Sequence, residues 1–272
     1  MRANLMNPAT EQTRKASKLE QLNINITWSW DMPLTGYLET LSRFGLEKLH
    51  GTLDLQPTKG GDIAVTRDGH LQFGDTQGNA LFRLVERWRH SETVINELFG
   101  PMLRSARQFE ELSGARARGQ GPSLGRDPKA YHEVTDAIVE SRLIAGTLAG
   151  SIAVILHSLL MRFKLDLNAS DADWAATPPL NGGFSLGQVF TAAAANFRHY
   201  DEWAAAKNVL TKQQVTNMTA LCGVLGLPLK NQHGYPTLRE NVCSDVLMKI
   251  TNGSIDDLQA MIFEYAKTLA KF

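Results

Sequence analysis

Between Arg142 and Arg162 the chain reads LIAGTLAGSIAVILHSLLM, nineteen residues (143–161) without a formal charge when His157 is neutral. A run of that length has two solutions. It is near what a helix needs to span a bilayer. It also suits the central helix of a bundle, apolar all round because neighbours surround it. Gly146 and Gly150 fall four apart, so one side of such a helix admits a close neighbour. His157 and the hydroxyls of Thr147, Ser151 and Ser158 interrupt the run. No Trp or Tyr lies in it or directly beside it, and no second span accompanies it. The expectation is therefore a core helix in a soluble, cytoplasmic protein. A single-span membrane protein through 143–161 is the alternative.

The 272 residues suffice for one large domain or two small ones, and 43% hydrophobic content supports a sizeable core. Charged residues make up 21% and balance to zero, which excludes a strongly basic nucleic-acid coat and a polyacidic disordered chain. Cys222 and Cys243 form no CxxC pair and join no Cys/His cluster, so they read as free thiols in a reducing compartment. MRANLMNPATEQTRKASKLEQL at the N-terminus holds no apolar run of secretory-signal length.

Periodicity predicts a mainly α fold, a multi-helix bundle around one long apolar helix. Two regions are expected: 1–77 with short strands, a helix and a β-hairpin, and 78–272 as the helical bundle. LNINITWSW (22–30) alternates like a strand, and Leu34–Leu49 returns to helical spacing. Residues 51–74 read as two or three short strands, with Asp68-Gly69 as a hairpin turn. Residues 79–112 carry apolar residues at three- and four-residue steps, with a break expected at Gly100-Pro101. SGARARGQGPSLGRDP (113–128) reads as a mobile basic loop; without GxxxxGK[ST] it is no P-loop. Asp127-Pro128 opens the long helix, expected to run through Met161. A second loop (167–184) leads to Ser185, an N-cap. Helices are then expected over Thr211–Leu225, Leu238–Ile250 and Ser254–Phe272.

The helix after Ser185 carries AAAANFRHYDEW (192–203), the densest group of reactive side chains. Leu186, Val189, Phe190, Ala193, Phe197 and Tyr200 form its apolar stripe. Asn196, His199 and Trp203 share a neighbouring face, and Arg198 and Glu202 are spaced to pair. The alanines allow another backbone to come close. Histidine titrates near neutrality and can act as general acid or base. An arginine can hold a phosphate through two N–H donors. His199 as acid/base, Arg198 as phosphate clamp and Asn196 as orienter make a set able to cleave a phosphodiester through the substrate's own 2′-hydroxyl, without a metal.

A helical chain with an Arg/Asn/His cluster resembles the HEPN superfamily over roughly 78–225. The resemblance implies small α-helical domains from toxin–antitoxin, abortive-infection and RNA-processing systems, many of them metal-independent ribonucleases that dimerise around the active cleft. The family motif is Arg, a polar residue, then His after four to six intervening positions. Arg198 and His199 are adjacent here. Arg83 and His90 enclose six residues and Arg126 and His132 enclose five. Non-catalytic binding modules also occur in the family.

HExxH, GxSxG, DxDxDG and GxGxxG are absent from the sequence. His233 falls in a Gly/Pro loop. Trp28 and Trp30 share one side of the proposed strand. Asp171 and Asp173 lack a third ligand for a metal. No cofactor and no metal is expected. The leading expectation is an RNA-binding or RNA-cleaving protein, a homodimer, in a bacterial stress or phage-defence setting, with Trp203, Glu202, Arg83 and His90 as further substrate or partner contacts. The alternative is a non-enzymatic interaction module in which the alanine face and Trp203 meet a partner protein.

Overall fold

The computed structural model describes residues 34–49, 55–66, 69–205 and 210–272. The expected strand at 22–30, with Trp28 and Trp30, and Asp68 of the turn lie outside them. The chain divides into two units, Met1–Thr40 and Leu41–Phe272. Of the first unit, the described part is the opening of helix α1 (Leu34–Arg43). Residues 41–77 belong to the same unit as the bundle, because Leu41, Phe44, Leu46 and Leu49 are buried in its core.

The fold is mainly α, as the periodicity predicts. After a single 3-10 turn (Glu47–Leu49) come α2 (Thr76–Ala117), α3 (Pro128–Leu167), α4 (Asp171–Ala176), a two-stranded hairpin of β1 (Leu180–Asn181) and β2 (Phe184–Ser185), α5 (Leu186–Ala205), α6 (Lys212–Leu225), α7 (Cys243–Thr251) and α8 (Ile255–Ala270). The β-insert takes an unusual form. Its strands are reduced to the bridges Leu55–Phe73, Pro57–Ile63 and Val65–Leu71. Gln56 N–H donates to Gln72 O, Gln72 N–H to Ala64 O, and Ala64 N–H to Gln56 O. Three segments thus close a ring of hydrogen bonds, which satisfies the backbone of a stretch too short for a sheet.

Helices α2 and α3 form an antiparallel pair, each about 60 Å long at the usual rise per residue. One register holds along their length. Arg87 bonds Asp166 at 2.5 Å, Arg142 lies over the Phe109 ring at 4.9 Å, and Arg116 reaches Thr135 at 3.1 Å. The break expected at Gly100-Pro101 does not occur: Pro101 lies inside α2. Its missing N–H and ring clash cost about 3 kcal/mol in an isolated helix. Here Ile95, Phe99, Met102 and Ala106 on either side are buried, so packing holds the helix through the proline. The basic loop is consequently shorter than expected, 118–127, since α2 continues to Ala117. Arg116 is engaged with Tyr131 and Thr135 rather than free in that loop.

The remaining helices wrap this pair. α5 packs on α3, α6 on α5, α7 against α3 and α6, and α8 against α2. Sequence caps are realised at several ends. Ser185 Oγ accepts from Gln188 N at 3.3 Å, Thr211 forms a capping box with Gln214, and Ser254 Oγ accepts from Asp257 N at 3.2 Å. Gly226 closes α6 in the left-handed region at φ 70°. The expected loop 167–184 contains α4 and the β1/β2 hairpin. The helix expected over Leu238–Ile250 is shorter: α7 starts at Cys243, because the backbone of Glu240 and Val242 is tied to the Asn196 side chain on α5. An aromatic cluster links the far elements, with Phe44 and Phe263 centroids 4.1 Å apart and Trp88 edge-on to Phe263 at 5.8 Å.

α3 is the one helix among the described residues long and apolar enough to cross a membrane, and half of that apolar window is buried inside the protein. Its two glycines face protein. A Cβ at Gly150 would stand 2.0 Å from the Phe197 ring, and one at Gly146 would stand 3.1 Å from the Asn241 carboxamide. Gly187 meets Trp174 at 2.1 Å on the same test. Trp174 cannot give way: its carbonyl accepts from Tyr265 Oη at 3.0 Å and its ring stands edge-on to that tyrosine. Gly187→Ala should therefore destabilise the protein by about 1–3 kcal/mol through overpacking. Gly125→Ala, where nothing lies within 4 Å, serves as the near-neutral control in chemical denaturation.

Candidate functional site

Helix α5 buries one face and opens the other. Leu186, Val189, Phe190, Ala192, Ala193 and Ala194 are buried, with Asn196 and Trp203 beside them. Thr191, Ala195, Arg198, His199 and Glu202 fall on the opposite side. With Thr211, Gln213, Gln214 and Asn217 of the α6 start they line an open cavity of about 400 Å³. Trp203 forms part of its wall but is only 1% exposed.

The groups in this cavity are polar and directed. His199 Nδ1 lies 3.0 Å from Glu202 Oε1, one helical turn on. A carboxylate only accepts, so Nδ1–H donates and Nε2 remains for a ligand. Arg198 Nε donates to the Ala194 carbonyl at 3.0 Å, which fixes the guanidinium and leaves its outer nitrogens. A second histidine, His157 of α3, stands behind the lining residue Thr191 and does not itself line the cavity. His157 Nδ1 stands 3.2 Å from Thr191 Oγ1, and that hydroxyl lies 2.8 Å from the Gly187 carbonyl. The single hydroxyl proton goes to the carbonyl, so His157 Nδ1–H donates and its Nε2 holds the lone pair. Burial, then the charge of Arg198, hold the His157 pKa below its ordinary value. His157 is thus an uncharged base at neutral pH, beside a fixed cation.

Several sequence expectations are corrected. Asn196 is fully buried and faces away from His199. Its Nδ2 donates to Glu240 O at 3.1 Å and its Oδ1 accepts from Val242 N at 2.9 Å. It pins the chain entering α7 and is no orienter of substrate. Trp203 is buried and presents no partner surface. Glu202 pairs with His199 rather than Arg198. The alanine face is covered by this chain itself: Ala193 O accepts from the Cys243 thiol at 3.2 Å. Burial pushes that thiol up to about 12, and both cysteines are free.

Arg83 and His90 belong to a different cavity, against the β-insert. His132 sits exposed at the start of α3, edge-on to Tyr131. His233 is exposed in its loop. Asp171 pairs with Lys164, and Asp173 accepts from the Ser170 hydroxyl at 2.6 Å. Among the described residues no three His, Cys, Asp or Glu side chains come together as a metal site would require. His157 was missed as a site residue because it falls inside the apolar run. Its half-buried position on a helix facing α5 had no local sequence signal. No family model, no curated protein and no solved structure matches this chain.

Two outcomes follow from this geometry. Asn196→Ala removes both buried bonds and orphans the Val242 N–H, so unfolding free energy should fall by about 2–3 kcal/mol. Arg198→Gln, at an exposed position, should leave stability within about 0.5 kcal/mol of wild type in the same denaturant titration. His157 supplies a pH signature. Its folded pKa is depressed, so below about pH 6.5 the unfolded chain binds the proton first, and stability falls as pH falls toward the folded value. Thermal midpoints from pH 7.5 to 5 should drop less steeply for His157→Gln than for wild type.

Proposed function

We propose that this chain binds RNA through the α5/α6 cavity and cleaves it without a metal. The observation that supports this is an open polar cavity lined by Arg198 and His199, with His157 bonded behind it to the lining residue Thr191 and close enough to feel the charge of Arg198. Metal-free cleavage needs a base to take the 2′-hydroxyl proton, a cation at the phosphate and an acid to protonate the leaving 5′-oxygen. His157, uncharged and with Nε2 bearing the lone pair, takes the first role. Arg198 clamps a non-bridging phosphate oxygen. His199, oriented by Glu202, delivers the proton to the 5′-oxygen as its bond to phosphorus breaks. The products are a 2′,3′-cyclic phosphate and a free 5′-hydroxyl, so atoms and charge balance. The resemblance to the HEPN superfamily, with homodimerisation and a cytoplasmic role in bacterial stress or phage defence, belongs to this proposal. The His/Arg geometry differs from that family's spaced Arg–His motif.

A non-enzymatic interaction module is the second reading. It is favoured by the outer side of α3, where Val139, Leu143 and Ile144 are exposed. Any such surface lies there, not on the alanine face.

The test is RNA cleavage in EDTA by purified wild type, His199→Ala, His157→Gln and Arg198→Gln, each checked for folding by circular dichroism. Loss of either histidine should lower the rate by about 10²- to 10⁴-fold, the usual contribution of one acid or base. Equal cleavage by all four proteins would place the chemistry elsewhere. RNA binding without cleavage, lost in Arg198→Gln, would leave a binding module. Neither binding nor cleavage would sink the RNA reading.

A further inference from the structure

The β-insert, α2 and α3 enclose a second polar cavity, of about 410 Å³, remote in sequence from His199. Three guanidiniums line it: Arg83, Arg87 and Arg162. His70 and His90 add two imidazoles. Glu86 also lines the cavity and, with Asp166, offsets part of this positive charge, but both carboxylates are paired with arginines other than Arg83 and Arg162. Asp166 holds Arg87 at 2.5 Å, and Glu86 pairs with Arg89 at 3.3 Å. Arg83 is fixed by its bond to the Leu71 carbonyl at 2.6 Å, with its guanidinium 5.8 Å from the centre of the Phe73 ring. Its Nε is buried with no hydrogen-bond partner among the described residues. Arg162 is exposed and has no partner among the described residues. Two fixed or idle cations in a half-enclosed space are electrostatically unfavourable until an anion sits between them.

A further cavity of about 380 Å³ adjoins it and shares Arg87, His90 and Arg162. Its other walls are different in kind: Val154, Ile155 and Leu159 from α3, with the hydroxyls of Ser91 and Ser158. One chamber is cationic, the next apolar with two hydroxyls, and the arginines stand at the join. Each has the size of an ordinary small-ligand site. Guanidinium groups match phosphate oxygens in pairs. An apolar slot with two hydroxyl groups suits a flat ring bearing heteroatoms, which lies against the apolar wall and bonds the hydroxyls at its edge.

We propose that this paired cavity is a binding site for a nucleoside monophosphate, its phosphate between Arg83 and Arg162 and its base between Val154, Ile155 and the two serines. The proposal stands apart from the RNA-cleavage reading, which uses the other side of α3.

Isothermal titration of the intact chain tests it, with the four ribonucleoside 5′-monophosphates, inorganic phosphate and the free nucleosides as probes. At least one monophosphate should bind about tenfold or more tightly than either inorganic phosphate or its own nucleoside. Arg162→Gln, an exposed position, should weaken that binding by about tenfold, the loss expected for one charge-assisted hydrogen bond. Ile155→Ala, which changes no charge, should weaken the monophosphate while leaving inorganic phosphate unchanged. His199→Ala should bind like wild type, which separates this site from the α5/α6 cavity. Absence of monophosphate binding at millimolar concentration would overturn the proposal. So would equal affinity for monophosphate and inorganic phosphate, or a loss in His199→Ala that Arg162→Gln does not show.

Discussion

The ring of Phe197 occupies the space that any side chain at position 150 would need. This contact sets how near α5 lies to α3, and the rest of the bundle is arranged around it. Gly146 repeats the device one turn earlier, where the Asn241 carboxamide rests on the bare backbone. Close approach strengthens dispersion contacts that fall off steeply with distance. It also brings the segment before α7 within reach of Asn196, whose two hydrogen bonds fix that segment to α5. Larger residues at 146 and 150 would push α5 outward and part both connections.

That spacing explains how one helix stands behind one cavity and lines another. α3 turns His157 toward α5 and Thr191, while Val154, Ile155, Ser158 and Arg162 face α2 and the β-insert. The apolar run is therefore partly a shared wall. Its outer side stays uncovered at Leu143 and Ile144, whereas its inner side is packed with Ile152, Ala153 and Leu156. The same residues that make the segment long and apolar enough for a membrane supply the inner contacts of a bundle.

Local signals in the sequence were legible where local chemistry decides. Ser185, Thr211 and Ser254 cap the helices they were expected to cap, since a hydroxyl and the nearest free N–H groups suffice. The break expected at Pro101 does not occur because the cost of the proline is local and its compensation is not: Phe99 and Met102 are buried by packing against the rest of the bundle. At the site, Arg198, His199 and Glu202 were legible as neighbours on one helix. His157 was not, because it meets them through Thr191, 34 residues on, and through the charge of Arg198. Asn196 was misassigned for the opposite reason. Its spacing from His199 is compatible with one face, but the burial of α5 extends past the apolar stripe and takes it in. Arg83 and His90 do share a cavity, yet Arg162, which has no partner among the described residues, comes from another helix.

His157 and Arg198 also couple a ligand to a proton. The cation lies near enough to the imidazole to disfavour a second positive charge, and burial adds to that effect. An anion settling on Arg198 cancels much of its field and so raises the affinity of His157 for a proton. By linkage, a proton on His157 then favours the anion by the same free energy. In the proposed cleavage this reciprocity has a direction. The base is uncharged before the phosphate arrives, and it becomes a better proton acceptor once the phosphate is in place. Thr191 keeps the ring in one tautomer throughout, because its hydroxyl proton is held by the Gly187 carbonyl. The arrangement of two helices, one hydroxyl and one guanidinium is enough to tie the protonation of a half-buried imidazole to occupancy of the cavity beside it.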